Sequence, residues 1–298
     1  MEQILKDYID LIDKKLDEFI EVKYPNSIFN SMKYTVTLPG KRLRPIICLE
    51  ICRALNGDVE SAIPTACAIE MLHAQTLIHD DLPCMDNDNF RRGKPTNHKI
   101  FGEAIATLAG DALLTFAPQI ISKHSTNLSS DKILRILNEF FQYAGAYGVI
   151  AGQVVDIENE GKVDKKSKEE NAKILEFLHT HKTSDLFKLA FKTGAIVADA
   201  DDETINKLEN LAEKFGYAFQ ISDDILDETS TFEELGKTIG KDKAAGKLTY
   251  TSLFGIDTAK CKVDCLVNEC RGIIKEMNLK SSILDSLLNS IVKRSGLK

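Results

Sequence analysis

All seven prolines of the chain lie at or before Pro118, and residues 119–298 contain none. So long a stretch without the strongest helix breaker, rich in Leu, Lys, Glu, Ala and Ile, reads as helix after helix. There is no Trp, and no alternating run of Val, Ile and Thr marks a sheet. The expected fold class is therefore all-α. Helices are expected over about residues 2–22, 44–56, 64–81, 102–123, 131–151, 168–197, 202–227, 249–254, 258–276 and 281–293. The first is amphipathic, with Ile4, Tyr8, Ile12, Leu16 and Phe19 on or near one face. Pro45 suits a first helical turn, Pro64 is expected to open the helix that follows, and Pro83 to stop it near Asp81. Residues 34–46 break the pattern at Pro39-Gly40, 82–97 read as a loop, and Leu235–Lys247 is a loop with three glycines and four lysines.

A length of 298 residues fits one large domain or two ordinary ones. The formal charge of −7 argues against a nucleic-acid binder, though a local basic cluster can still take a phosphorylated substrate. The N-terminus lacks an apolar signal-peptide core, and no run reaches the length of a membrane span. A cytoplasmic protein is expected. The seven cysteines form no CxxC pair and read as buried or incidental thiols.

Chemistry concentrates in the stretch Glu70–Gly93. An apolar helical run ends on Asp80 and Asp81, a proline turn adds Asp86 and Asp88, and Arg91, Arg92 and Gly93 follow. A second acidic cluster, Asp223, Asp224 and Asp227, ends the longest helical run. Asp223 and Asp227 are four apart, on one helix face, where like charges repel unless a cation lies between them. Mg²⁺ suits such a place, because one or two carboxylates plus substrate phosphate hold it. One such cluster alone reads as a solvated acidic face; two, each closing a hydrophobic helix, do not. An EF-hand fails, because Phe90 and Arg91 stand where an oxygen ligand and Gly belong. Basic residues gather at Lys41/Arg42/Arg44, Arg91/Arg92 and Lys237/Lys241/Lys247. Arginine forks suit phosphate oxygens. No Walker A pattern occurs in the last group. His73, two turns before Asp80, reads equally as a core histidine or a phosphate contact.

These residues resemble the trans-isoprenyl diphosphate synthases, and within them the short-chain bacterial farnesyl diphosphate synthases (geranyltranstransferases). The resemblance is carried by Asp80-Asp81-Leu-Pro-Cys-Met-Asp86 running into Arg91-Arg92-Gly93, and by Gln220-Ile-Ser-Asp223-Asp224-Ile-Leu-Asp227. Gly40-Lys41-Arg42-x-Arg44-Pro45, Gly152-Gln153, Lys182-Thr183 and Gly236-Lys237 through Gly246-Lys247 complete the family order over about residues 38–250. Any one DDxxD is common; the ordered set is specific.

The resemblance implies a single domain over 1–298, with antiparallel helices around a deep central cavity, and a homodimer. It implies head-to-tail condensation of isopentenyl diphosphate with an allylic diphosphate, with two or three Mg²⁺ ions, or Mn²⁺ in their place. Asp80, Asp86 and Asp223 are then expected to hold metal, with Asp81, Asp224 and Asp227 close by. Lys41, Arg44, His73 and Arg92, beside Gly40, are expected on isopentenyl diphosphate. Arg91, Lys182 and Lys237 are expected on the allylic diphosphate, with Lys247 also a substrate contact. Thr183 and Gln220 are expected to face the developing cation. No protein nucleophile is needed: metal and Lys/Arg stabilise the departing diphosphate, and the proton is lost to that diphosphate.

Two positions depart from the family. Ala151 stands where a first Gly is common, a tolerable change. Gln75, five before Asp80, stands where bacterial farnesyl synthases commonly carry an aromatic residue. One helical turn is about 5.4 Å, roughly one isoprene unit, so Gln75 and Thr76 are expected to form the floor of the chain pocket. The four-residue spacer in the first motif favours a C15 product, and the missing aromatic leaves C20 (geranylgeranyl diphosphate) as the alternative. A terpene cyclase would need no isopentenyl site, and a non-catalytic subunit would be expected to lose an aspartate cluster or the arginine pair. Lys293-Arg294 read as a solvated basic tail, with closure over the site as the lesser alternative.

Overall fold

The computed structural model describes residues 2–229 and 247–297. Among them the chain is all-α apart from one two-stranded ladder. It forms two compact units, residues 1–140 with 193–200, and residues 141–192 with 201–298.

The first unit is organised around α4 (Val59–Asp80) and α6 (Glu103–His124), which pack along each other. Around them lie α1 (Glu2–Phe19), α2 (Asn26–Val36), α3 (Leu43–Ala54) and the short α5 (Asn97–Phe101). α4 is apolar almost all round, so its residues from Ala62 to Leu72 are buried without a break. Each large aliphatic side chain buried in this way contributes about 1.5–3 kcal/mol of transfer free energy. α6 is long and apolar enough to cross a membrane by length and composition, which the sequence reading did not foresee. Its Ala106, Ala109, Gly110, Leu113, Ala117 and Ile121 are buried within this unit, as in the core helix of a globular fold.

Several elements differ from expectation here. α2 was not expected at all: NSIFNSMKYTV buries only Ser31, Met32, Thr35 and Val36, too sparse a stripe to read by periodicity. α4 begins five residues before Pro64, because Asp58 caps it by accepting from the Glu60 amide (3.2 Å) and the Ser61 hydroxyl (2.5 Å). Pro64 is tolerated because the carbonyl it leaves unserved belongs to exposed Glu60. Within the 82–97 loop, Phe90–Arg91 (β1) pairs antiparallel with Lys94–Pro95 (β2).

The second unit is built on α11 (Asp202–Thr229), whose buried residues Leu208, Leu211, Ala212, Phe215, Ala218, Ile221 and Ile225 recur at three- and four-residue spacing. That stripe packs on α13 (Ile256–Glu276) and α14 (Ser282–Arg294), with α12 (Tyr250–Phe254) beside them. Phe187 meets Phe215 and Phe219 edge-on at 5.1 and 5.3 Å. The expected helix 131–151 is instead α7 (Ser130–Ala144) and α8 (Val149–Asn159), parted by a turn at Gly145–Gly148. The expected helix 168–197 is α9 (Lys168–Leu178) and α10 (Asp185–Val197), joined by a π-helical turn over His179–Ser184.

Candidate active site

In the first unit the functional side chains gather where α4 ends. The chain after Asp81 turns back on itself: the Asp86 amide donates to the Asp80 carbonyl (2.8 Å), and those of Met85 and Asn87 to the Leu82 carbonyl. This sets Asp80 and exposed Asp86 in one turn at the negative end of the α4 dipole. Carboxylates there gain nothing from the helix, which favours a cation. Asp81 behaves differently. It is 2% exposed, and Arg91 Nε and Nη2 donate to its oxygens at 2.6–2.9 Å. Burial pushes its carboxyl up, against the pull of Arg91. Asp81 thus fixes Arg91 and has its oxygens committed to that fork.

The arginines part company at the hairpin. Arg92 (φ 53) and Gly93 (φ 74) form its two-residue turn, with the positive φ at both positions that a type I′ turn requires. Arg91 then reaches Asp81, whereas Arg92 Nη1 donates to the Leu38 carbonyl (3.2 Å) and Nη2 lies 3.8 Å from Glu70. The Arg92 guanidinium lies against Gly40, where a Cβ would sit 2.7 Å from Nη1. Glu70 also accepts from Arg42 Nη1 (2.6 Å). Arg42 is fully engaged, with Nε on Asp13 and Nη2 on the Val36 and Leu38 carbonyls. It shapes the Pro39–Arg44 segment and is not available to a ligand, while neighbouring Lys41 is exposed. His73 is held well below the usual imidazole range, by burial first and then by Arg44, Arg92, Arg91 and Arg42. It is neutral at pH 7 and so can donate without adding charge. Two residues along α4, Gln75 Nε2 lies 3.1 Å from His79 Nδ1, and His79 Nε2 lies 3.0 Å from the Thr107 carbonyl on α6. A carbonyl only accepts, so Nε2 carries the proton and Nδ1 accepts from Gln75. The Thr76 hydroxyl donates back to the His73 carbonyl (2.9 Å).

In the second unit a cavity of about 210 Å³ is lined by Asp156, Lys182, Thr183, Gln220, Asp224 and Lys247, among others. Within the π-helical turn the buried Ser184 hydroxyl donates to the His179 carbonyl (2.9 Å). This turn presents Lys182 and Thr183 to the cavity. It lies hard against α8, where a Cβ on Gly152 would be 2.5 Å from the Lys182 nitrogen. Lys182 Nζ pairs with Asp156 (2.5 Å). A chain of hydrogen bonds then runs from the Thr183 hydroxyl to Gln220 Oε1 (2.7 Å) and from Gln220 Nε2 to Asp224 Oδ1 (3.0 Å). Asp224 Oδ2 accepts from the Tyr250 amide (2.8 Å) and lies 3.6 Å from His179 Nε2. Asp224 is therefore a buried anchor for Gln220. Asp223 and Asp227 lie on the more open side of α11.

Lys293 is exposed, but Arg294 does not behave as part of a solvated tail. Arg294 Nη2 donates to Asp223 Oδ1, because α14 packs on α11 and directs its last turn there. Lys237 lies outside the described residues. Asp156 and Glu70 were missed as site residues; the run Gly152-Gln153-x-x-Asp156 and the place of Glu70, one turn before His73, were the available signals.

The chemistry of the donors fits Mg²⁺. Among the described residues no group of three or more His, Cys, Asp or Glu is placed to hold a metal. Mg²⁺ needs no such cage, since it keeps waters and takes phosphate oxygens. The paired carboxylates of each motif suffice.

A family model described as "Polyprenyl synthetase" matches residues 25–284. The chloroplastic geranylgeranyl pyrophosphate synthase of Catharanthus roseus is 45% identical over 286 residues, covering 96% of this chain and 79% of that enzyme. The crystal structure of an FPP/GFPP synthase from Zymomonas mobilis superposes with a TM-score of 0.84 at 30% identity, covering 99% and 98% of the two chains. A geranyltransferase from Helicobacter pylori, solved with magnesium and isoprenyl diphosphate, gives 0.81 at 28% identity over 98% and 96%.

Proposed function

Since the chain belongs to the polyprenyl synthetase family and elongates prenyl chains, we propose that it condenses isopentenyl diphosphate head-to-tail with allylic diphosphates, with Mg²⁺, to a C20 product. The observation that carries the reaction is the end of α4. Two carboxylates, Asp80 and Asp86, share one turn there, and the Arg91 guanidinium is fixed beside it by Asp81, while the Arg92 guanidinium sits further back along α4, at the Leu38 carbonyl and Glu70. Such a place suits a metal-bound diphosphate.

Asp80 and Asp86 in the first unit, and Asp223 with Asp227 in the second, would each hold metal. When bound, it supplies positive charge to the leaving diphosphate as the allylic C–O bond breaks. Lys41, Arg44, Arg92 and neutral His73 would take isopentenyl diphosphate and hold its double bond ready to attack. Arg91, Lys182 and Lys247 would take the allylic diphosphate, Lys182 after release from Asp156. The Thr183 hydroxyl and the Gln220 amide, oriented by Asp224, would offer oxygen lone pairs to the developing allylic cation. Proton loss needs no protein base, because the departed diphosphate can accept it.

The product-length reading rests on Gln75. Its amide, paired with His79, is slimmer than the aromatic ring common there in farnesyl synthases, and the 45%-identical relative bears a geranylgeranyl name. C15 is the second reading, favoured by the four-residue spacer and by the FPP/GFPP synthase of the same fold. Exposed Ile150, Val154 and Ile157, at helical spacing on α8, support a homodimer. The test is to incubate the protein with Mg²⁺, isopentenyl diphosphate and dimethylallyl diphosphate, then chromatograph the dephosphorylated products. A C20 alcohol that disappears with EDTA is expected. Farnesol as the end product would establish the second reading, and no Mg²⁺-dependent product would overturn the first.

A further inference from the structure

The second aspartate motif already carries a cation of the chain's own. Arg294, in the last turn of α14, donates from Nη2 to Asp223 Oδ1. Its guanidinium also lies 4.9 Å from the centre of the Phe219 ring. Phe219 and Asp223 are one turn apart on α11, so ring and carboxylate form one receptor for the guanidinium. The Arg294 side chain is 21% exposed and that of Asp223 37%, so the pair is partly withdrawn from water. Arg294 also stands at the carbonyl end of its helix, which favours a positive charge there.

A guanidinium on a carboxylate oxygen occupies the lone pair that a metal would take and repels an incoming cation. We propose that Arg294 is a built-in counter-cation that sets the metal affinity of the second aspartate motif. It neutralises Asp223 before metal binds and must leave Oδ1 for metal to take that oxygen. The inference rests on the reading of Asp223 as a metal ligand.

The test is Mn²⁺ binding to the full-length protein without substrate at low ionic strength, read from the electron paramagnetic resonance of free Mn²⁺. Arg294→Gln should bind Mn²⁺ at one site about fivefold tighter than wild type, since a partly exposed ion pair is worth about 1 kcal/mol. Arg294→Lys, which keeps the charge, should stay nearer wild type and guards against damage to α14. Asp223→Asn should lose that site, and Asp223→Asn/Arg294→Gln should match Asp223→Asn alone. If Asp223→Asn loses the site while Arg294→Gln binds as wild type or more weakly, Arg294 has no such role and the metal assignment stands. If Asp223→Asn binds Mn²⁺ unchanged, the metal assignment fails and takes this inference with it.

Discussion

Arg91 closes a fork on Asp81, with Nε and Nη2 within 2.6–2.9 Å of a carboxylate that is 2% exposed. The two aspartates of the first motif that bracket the turn therefore differ in kind from the one between them. Asp81→Asn leaves the half-buried Arg91 guanidinium with only Asp88, 3.7 Å away, as a carboxylate partner, at a cost of about 1–3 kcal/mol. Exposed Asp86→Asn should cost under about 1 kcal/mol of stability yet raise the Mg²⁺ concentration needed for activity. Thermal melts beside Mg²⁺ titrations check this. Equal destabilisation by the two variants would show that Asp81 is not the structural member.

His73 gives a pH dependence with a definite sign. Its folded pKa is depressed below 6.5 by burial and by Arg44, Arg92, Arg91 and Arg42. Below pH 6.5 the unfolded chain binds a proton that the folded chain refuses. The stability that neutral His73 contributes is thus whole above about pH 6.5 and is lost as pH falls toward the folded pKa. The slope in that window approaches about 1.4 kcal/mol per pH unit from this one group. Denaturant melts of wild type and His73→Gln between pH 7 and pH 5 check it. The variant should show a flatter loss, and parallel curves would refute it.

Much of this was legible in the sequence because aspartates, arginines and glycines at fixed spacings signal charge and close approach. The proline-free 119–298 gave the helical class, and Pro83 gave the end of α4. The division of labour inside each motif was not legible. Asp80 and Asp81 are adjacent in sequence, and only the return of the hairpin shows that Arg91 takes the second. Asp224 could not be told from Asp223, because what separates them is the distant amide of Tyr250 and the packing of α14. The π-helical turn has no periodic signature either, since one inserted residue leaves the apolar pattern intact on both sides.

Gly152 underlies the second unit's cavity. A Cβ there would lie 2.5 Å from the Lys182 nitrogen, and the backbone it meets cannot swing aside. Gly152→Ala must push α8 from the π-helical turn, an overpacking cost of about 1–3 kcal/mol. Lys182 and Thr183 move with that turn, so kcat should fall about tenfold or more, the effect expected when about 1.4 kcal/mol of positioning is lost. The KM for isopentenyl diphosphate should change little, because its expected ligands are in the other unit. Steady-state kinetics on both substrates, with a melt to confirm folding, decide it. A variant with wild-type kcat would remove the π-helical turn from the mechanism.

In the proposed reading, product length turns on Gln75. Its amide is held by His79 Nδ1, which can accept only because His79 Nε2 is committed to the Thr107 carbonyl on α6. Tyr at 75 replaces that amide with a ring one turn before the aspartates, which shortens the pocket by about one isoprene unit on the 5.4 Å pitch. Gln75→Tyr should therefore shift the product from C20 toward C15. His79→Ala removes the acceptor and frees the Gln75 amide without adding bulk, so it should broaden the distribution. Chromatography of dephosphorylated products from both variants checks the argument. Longer chains from Gln75→Tyr would sink it, because added volume at the floor of a pocket cannot lengthen what the pocket holds.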